Sequence, residues 1–476
     1  MNRLIISILI LCGCAICAAG QDTLRLTLQD AIDIALEQSV NAAMARNKQK
    51  TAYWQYRTFR AEQLPEISFD GTLPDYRRNY TSYQSEDGSY KFVRNNNIGL
   101  NGGLSLKQVI PFTGGSIALS TSMDYTRQIG SGSANEFMSV PIAVTLTQPI
   151  FAVNSNKWDR KIEPIRYEES QAQFSEEMEE VTLSTIGYFF NFVLAESTLE
   201  NALQNLENAE KLYEVAVAKR KIGKISEREL MQMKLSVLQA KSTLTDAVSA
   251  LNSQMFRLRA FLGIDESRPI KPIVPEESPE GNYTYKQVLD AALQYNPFAK
   301  NILRRQLEAD YAVAAAKGRR RSMDLYASFG FSGVNSNFKG AYNNLKNNQV
   351  VELGVSIPIL DWGKRKGQVK IAESNRDVVE TQIRQDEINF NQDIFLLVEN
   401  YNNQAQQLSI AVESDSLAAE RYDIAVKTFM VGEISILDLN DAREGKDSAR
   451  AKMIQELYYY WNYYYNIRSV TAGMLH

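Results

Sequence analysis

Apolar residues along this chain recur in two rhythms, and each rhythm predicts its own kind of element. Steps of three and four through Ala31, Ile32, Ala35 and Leu36 predict a helix from about Thr27 to Glu62, stopping before Pro65. A matching helix is expected from about Thr284 to Arg319. Longer stretches keep the same rhythm. Phe174, Met178, Val181, Leu199, Leu203 and Leu206 mark a helix from about Asn156 to Lys221, and another runs from about Gly367 to Met430. At 1.5 Å per residue each would reach roughly 95–100 Å. Pro164 either opens the first of them or kinks it. Shorter helices follow, Ser226 to Leu262 and Ser435 to Ala472.

Between the helices the step falls to two. Ile67 and Phe69, then Ile117, Leu119, Thr121, Met123 and Tyr125, then Val140, Ile142, Val144 and Leu146 stand at alternate positions. The pattern returns at Leu325, Ala327, Phe329 and Phe331 and at Val351, Leu353, Val355 and Ile357. Such segments are strands with two unlike faces. The stretches RNNNIGLNGG and YNNLKNNQ read as polar loops between them. Alternation alone fits a soluble sandwich as well as a transmembrane barrel. The very long helices favour the barrel, because no globular domain needs rods of that length.

The chain is written twice. Gly223 and Gly432 lie 209 apart, and the same offset pairs Tyr213 with Tyr422, Ala216 with Ala425, Ile225 with Ile434, Ser226 with Ser435 and Leu230 with Leu439. Nearer the start the offset is 257, matching Thr27 to Thr284 and Asp33 to Asp290, so the first half carries about 48 extra residues in its strand region. The expected layout is a signal peptide at 1–20, a first repeat at 21–262 and a second at 283–476. The first repeat has strands within 65–150 and a tip at 222–226; the second has strands within 323–360 and a tip at 431–435. A connector at 263–282, with Pro269, Pro272, Pro275 and Pro279, should run extended.

Composition narrows the function. Across 476 residues the formal charge is −4 and the one histidine is His476, so no basic field invites nucleic acid. Arg3, the apolar run from Leu4 and the exit Ala18-Ala19-Gly20 form the three zones of a secretory signal, with a lipobox at Leu11-Cys12-Gly13-Cys14 as the other reading. Cys12, Cys14 and Cys17 all fall inside that segment. No later run approaches the ~20 apolar residues of a membrane helix, so strands must make any crossing. Two to four strands per half cannot close a barrel, and an open edge in lipid is costly, so several chains must share one. HExxH, GxSxG and Walker motifs do not occur, and the one CxxC, Cys14 to Cys17, falls inside the expected signal segment, which points away from an enzyme and from cofactors. Glu168-Glu169 and Glu176-Glu177 read as solvated helix charges, and LYYYWNYYYN from Leu457 as packing between rods.

The junctions QPIF at Gln148 and IPILDWGKRKGQV at Ile357, together with the tip YDIAVKTFMVGEISILDLNDA, resemble the TolC-like outer-membrane efflux proteins, trimeric channel-tunnels. The resemblance covers nearly all of the chain after the signal. It implies a mostly α fold with a transmembrane β portion: duplicated long helical hairpins forming a periplasmic α-barrel, and strands contributing to a shared outer-membrane β-barrel. In the family four strands per chain make a twelve-stranded barrel, whereas this first half has room for two more. The implied function is a passive exit duct of a tripartite efflux or type I secretion system. It would be a homotrimer in outer-membrane lipid with a periplasmic extension, docking a periplasmic adaptor protein and an inner-membrane pump. Asp438 and Asp441 match the acids that narrow the family's periplasmic aperture; three apart, they share a helix face. Such a ring favours cations and would be eased by protonation or a bound cation. Taken alone, the pair reads equally as surface acids. Gly223, Ile225, Ser226, Gly432, Ile434 and Ser435 match adaptor-contact tips, while Ser226 and Ser435 also read as N-caps, Ser226 with Glu229 as a capping box. Ile434 stands where the family has a basic latch residue. The competing reading is a secreted or periplasmic structural or adhesive coiled-coil protein with no conduit.

Overall fold

The computed structural model describes residues 24–86, 88–130, 134–264, 269–275, 281–356 and 359–474. The expected signal segment and its cysteines lie outside them, as do parts of the connector and the Ile357-Pro358 step. The chain divides into a helical unit, Met1–Lys50, Ser170–Ala299 and Glu387–His476, and a second unit, Thr51–Glu169 and Lys300–Asp386, which carries the main sheet.

In the helical unit, β1 (Leu24–Thr27) pairs parallel with β6 (Ile270–Ile273), so the expected extended connector includes a paired strand. Thr27 then caps α1 (Leu28–Gln38) through a capping box with Asp30. The sequence rhythm implied one helix to Glu62, but the backbone leaves the helix at Ser39 (ψ 149°) and restarts as α2 (Val40–Glu62). The Ser39 hydroxyl accepts the Ala42 N–H at 3.1 Å, an alternative partner that competes with the helical ladder. The second copy breaks likewise: α5 (Tyr285–Tyr295) ends at Asn296 and α6 (Pro297–Gly318) begins with proline. A residue before proline is driven out of the helical region, as the ψ of 146° at Asn296 records.

The long helices arrive as expected: α3 (Ser155–Lys221), α7 (Lys364–Val431), and their shorter partners α4 (Glu227–Leu262) and α8 (Ile436–Val470). Pro164 lies inside α3, neither opening nor ending it. One core gathers Ile186, Phe189 and Phe192 of α3 with Leu258 and Leu262 of α4 and Ala31, Ile32 and Ala35 of α1. Each large apolar side chain buried there contributes about 1.5–3 kcal/mol. A second gathers Val288 and Ala292 of α5, Ile394, Val398 and Tyr401 of α7, and Tyr460 and Ile467 of α8. Tyr401 stacks on Tyr460 at 5.4 Å, so the tyrosine run packs between helices.

The second unit holds an open antiparallel sheet ordered β2-β3-β4-β5-β7-β8. Four strands come from the first half, β2 (Glu66–Gln84), β3 (Tyr90–Val109), β4 (Ser116–Gln128) and β5 (Asn135–Pro149). Two come from the second, β7 (Ser322–Asn335) and β8 (Lys346–Ser356). The extra residues of the first half are therefore the β2–β3 hairpin. RNNNIGLNGG, read from sequence as a loop, lies inside β3, and Lys346–Gln349 of YNNLKNNQ belongs to β8. The consecutive asparagines hid the strand because they break the alternation: Asn95 donates to Thr81 and Asn101 to Asp124 on the polar face, while Asn96, on the other face, donates to the Ile129 carbonyl.

One face of the sheet is a continuous apolar surface. Ile67, Leu106, Leu119, Val144 and Phe329 lie side by side in register across five strands. Ile67 and Phe69 remain 74% and 68% exposed, an arrangement stable only against an apolar medium. The opposite face is polar, with Ser68 to Ser105 at 2.8 Å and Thr145 to Ser328 at 3.4 Å. Against expectation, Glu169 on α3 is buried, 3% exposed. Arg304 of α6 grips it with Nε at 2.5 Å and Nη2 at 3.1 Å, and Asn301 donates at 2.8 Å. These bonds hold the Arg304 pKa above its ordinary value. Glu168 pairs with Lys300 and Glu177 with Lys48, while burial pushes the Glu176 carboxyl up.

Candidate functional site

The two helix hairpins of the helical unit end in turns built alike. Gly223 (φ 74°) and Gly432 (φ 93°) take the left-handed conformation that ends a helix at little steric cost to glycine. Lys224 N–H donates back to the Lys219 carbonyl at 3.0 Å, and Glu433 N–H to the Thr428 carbonyl at 3.1 Å. Three residues on, each return helix is capped. The Ser226 hydroxyl accepts from Glu229 N–H while the Glu229 carboxylate accepts from Ser226 N–H at 2.7 Å. Ser435 and Asp438 repeat the arrangement, with Ser435 N–H to Asp438 Oδ2 at 3.1 Å and the Ser435 hydroxyl to the same oxygen at 2.7 Å. The capping reading of both serines therefore holds in the geometry.

These bonds stabilise the ionised acid. The Ser435 hydroxyl, then its backbone N–H, holds the Asp438 carboxyl below the usual aspartate range. A depressed pKa means that the charge and its capping bond persist above that lowered value and fade only as the pH falls through it. The sequence reading, in which protonation relieves the acids, meets this opposing effect within each protomer. Asp441 has a different partner. Arg421 of α7 pairs with it across to α8, both side chains being more than half exposed. The two acids share a helix, but one turns to its cap and the other to a cation.

Beneath the turns lies a small shared core: Leu212 and Ala216 of α3, Met233 of α4, Tyr422 and Ala425 of α7, and Leu439 and Ala442 of α8. Ile225 and Ile434 pack partly against it, so neither is wholly free for a partner. Polar ties join the hairpins around this core. Lys219 Nζ reaches the Met430 carbonyl at 2.9 Å, and Asn208 donates to the Tyr422 hydroxyl at 3.2 Å. Buried Lys446 donates to Gln204 at 3.1 Å and sits 4.9 Å from the Tyr422 ring centre. Burial raises the Tyr422 pKa.

The exposed apolar residues at the turns are others: Ile222 at 68%, Val431 at 72% and Leu437 at 77%. Sequence reasoning missed them as contact candidates. Ile222 and Val431 precede the two glycines at the same 209 offset, a signal the repeat already contained. Among the described residues no group of three or more His, Cys, Asp or Glu side chains could hold a metal, and no helix is long and apolar enough to cross a membrane.

A family model described as outer membrane efflux protein matches residues 115–264 and 288–472. No curated protein matches the chain. Among solved structures, the CmeC outer membrane channel of Campylobacter jejuni is similar at 16% identity and a TM-score of 0.65, over 94% of this chain and 85% of that one. The outer membrane protein VceC of Vibrio cholerae is similar at 14% identity and a TM-score of 0.64, over 94% and 96%. The open state of the MtrE outer membrane channel of Neisseria gonorrhoeae gives 16% identity and 0.58, over 94% and 89%. At such identities the likeness speaks for the fold.

Proposed function

The chain belongs to the outer membrane efflux protein family, and from that premise we propose that this efflux channel is the passive exit duct of a tripartite efflux or type I secretion system. Three copies would pool their strands in the outer membrane and their helical hairpins in the periplasm. Residues 1–20 would be removed on export, and the two repeats would each supply one hairpin. The duct would carry out no catalysis. One observation supports this best: the family match spans both halves of a chain whose open sheet exposes a continuous apolar face. A conduit-free coiled-coil protein has no use for that face.

In this reading the turns meet a periplasmic adaptor protein, which in turn engages an inner-membrane pump. Gly223, Ser226, Gly432 and Ser435 shape the turns; Ile222, Val431 and Leu437 supply apolar contact area, with Ile225 and Ile434 supporting from beneath. Asp438 and Asp441 line the aperture, the first hydrogen-bonded to Ser435 and the second paired with Arg421. Fractionation tests the whole. The expected product is a trimer in the outer membrane that survives mild detergent and conducts ions in a planar bilayer. A soluble periplasmic monomer would overturn the reading.

A further inference from the structure

The sheet has two free edges, and among the described residues no strand pairs with the outer side of β2 or of β8. Free backbone groups cannot face lipid, so a sheet with an apolar outer surface must close. The β2–β3 hairpin lies outside the residues matched by the family model, which enters the first half only at residue 115, where β4 begins. Yet the hairpin is no appendage. β3 pairs antiparallel with β4 without a register shift from Asn97 to Val109, and the hairpin's Ile67, Phe69, Leu104 and Leu106 extend the same apolar face. We propose that all six strands enter the barrel wall and that β8 of one copy pairs with β2 of the next. The family's homotrimer would then close with eighteen strands here, where the four-strand share would give twelve. This inference rests on the trimeric channel reading above.

Direction, pattern and tilt each fit this seam. Six alternating strands leave β2 and β8 running in opposite senses, so joining them keeps the wall antiparallel throughout. Both edges carry apolar alternation at the end nearest the helices, Ile67, Phe69 and Leu73 on β2 and Val355, Leu353 and Val351 on β8, all exposed. Tilt follows from the register. Starting at Ile67, paired residues run through Leu106, Leu119, Val144 and Phe329 to Gln349. Gln349 stands six residues from Val355, the residue that matches Ile67 when the helix-proximal ends of the two edges meet. Six residues at ~3.3 Å against six spacings of ~4.8 Å correspond to a tilt of roughly 35°. Closed barrels need about 35–45°. Pro74, beside the register shift between Thr72 and Asp75, lacks an N–H, so the seam should be tightest below it.

Cysteine pairs test the seam, since no native cysteine follows Cys17. Thr72→Cys with Val350→Cys places one thiol on the inner face of each edge. Ser122→Cys with Val350→Cys, matched by the same rule from Ile117 of β4, reports a wall closed through β4, with the hairpin outside it. Sizing of the detergent-extracted protein comes first, then oxidation or a short bis-maleimide, then a denaturing gel. The expected result is a covalent trimer from the first pair and none from the second. Linkage through Ser122→Cys, or a native trimer that neither pair links, overturns the eighteen-stranded wall while leaving the channel intact. A monomer on sizing overturns the channel reading itself, and the seam with it.

Discussion

Arg304 and Glu169 show how much a single side chain can hide from its sequence. Two adjacent glutamates on a long helix look solvated, and the neighbours of Glu169 in the chain contradict nothing. Its partners, Asn301 and Arg304, stand more than 130 residues away and are met only by folding. The capping serines are the opposite case: Ser226 with Glu229 three residues later is a local signature, readable because its partners are adjacent in the chain. The buried pair is costly to break from one side. Arg304→Ala should destabilise the sheet-bearing unit by about 3–5 kcal/mol, because it leaves a buried carboxylate uncompensated. Arg304→Lys should recover only part of that, having lost the two-pronged grip. Replacing both residues, Glu169→Leu with Arg304→Met, should bring stability back near the starting value. Urea midpoints of the three variants in detergent would test the order; equal midpoints for Arg304→Ala and the double variant would refute it.

At the scale of elements, rhythm located the long helices to within a few residues and failed where local hydrogen bonds compete. The helix phase of α1 runs on into α2, so periodicity saw no boundary at Ser39. Pro297 did mark the matching boundary in the second half, and a reading that weighed it would have ended α5 at Asn296. Strand β3 was missed for another reason: asparagines suit a wall whose inner face is wet, but composition alone assigns them to loops. The turn glycines were legible because two copies kept them in step. Their role is one of backbone conformation, since a Cβ at Gly223 would meet nothing within 4 Å and one at Gly432 would meet only Lys219 Nζ, at 3.8 Å. Gly432→Ala should therefore cost about 1–2 kcal/mol locally from the left-handed backbone alone. Gly432→Asn should cost less and Gly432→Val more. Hydrogen exchange at residues 428–436 would rank the three, and an unchanged rate in the valine variant would refute the assignment.

For the whole molecule the decisive quantities are sums over copies, which one sequence cannot display. The sequence placed Asp438 and Asp441 on one helix face; it did not reveal that Arg421 answers one of them from α7. In a homotrimer the aperture would carry three Asp441–Arg421 pairs beside three Asp438 carboxylates, so half of its acid charge is locally offset. Arg421→Ala should expose that charge. In planar bilayers under a KCl gradient, the reversal potential should move towards the potassium value, and Asp441→Asn should move it the other way by leaving Arg421 unanswered. Because these side chains are exposed, both shifts should shrink between 0.1 and 1 M salt as the screening length falls from about 10 to 3 Å. The pH response has a definite sign as well. Asp438 is held ionised below the usual aspartate range, so cation preference should survive mild acidification and fall only as the pH passes that depressed value. Ser435→Ala removes the hydroxyl, the larger of the two causes of the depression, and keeps the backbone N–H, so the loss should come at higher pH in that variant. If the Ser435→Ala channel kept the wild-type pH midpoint, Asp438 would not be the group that sets the preference.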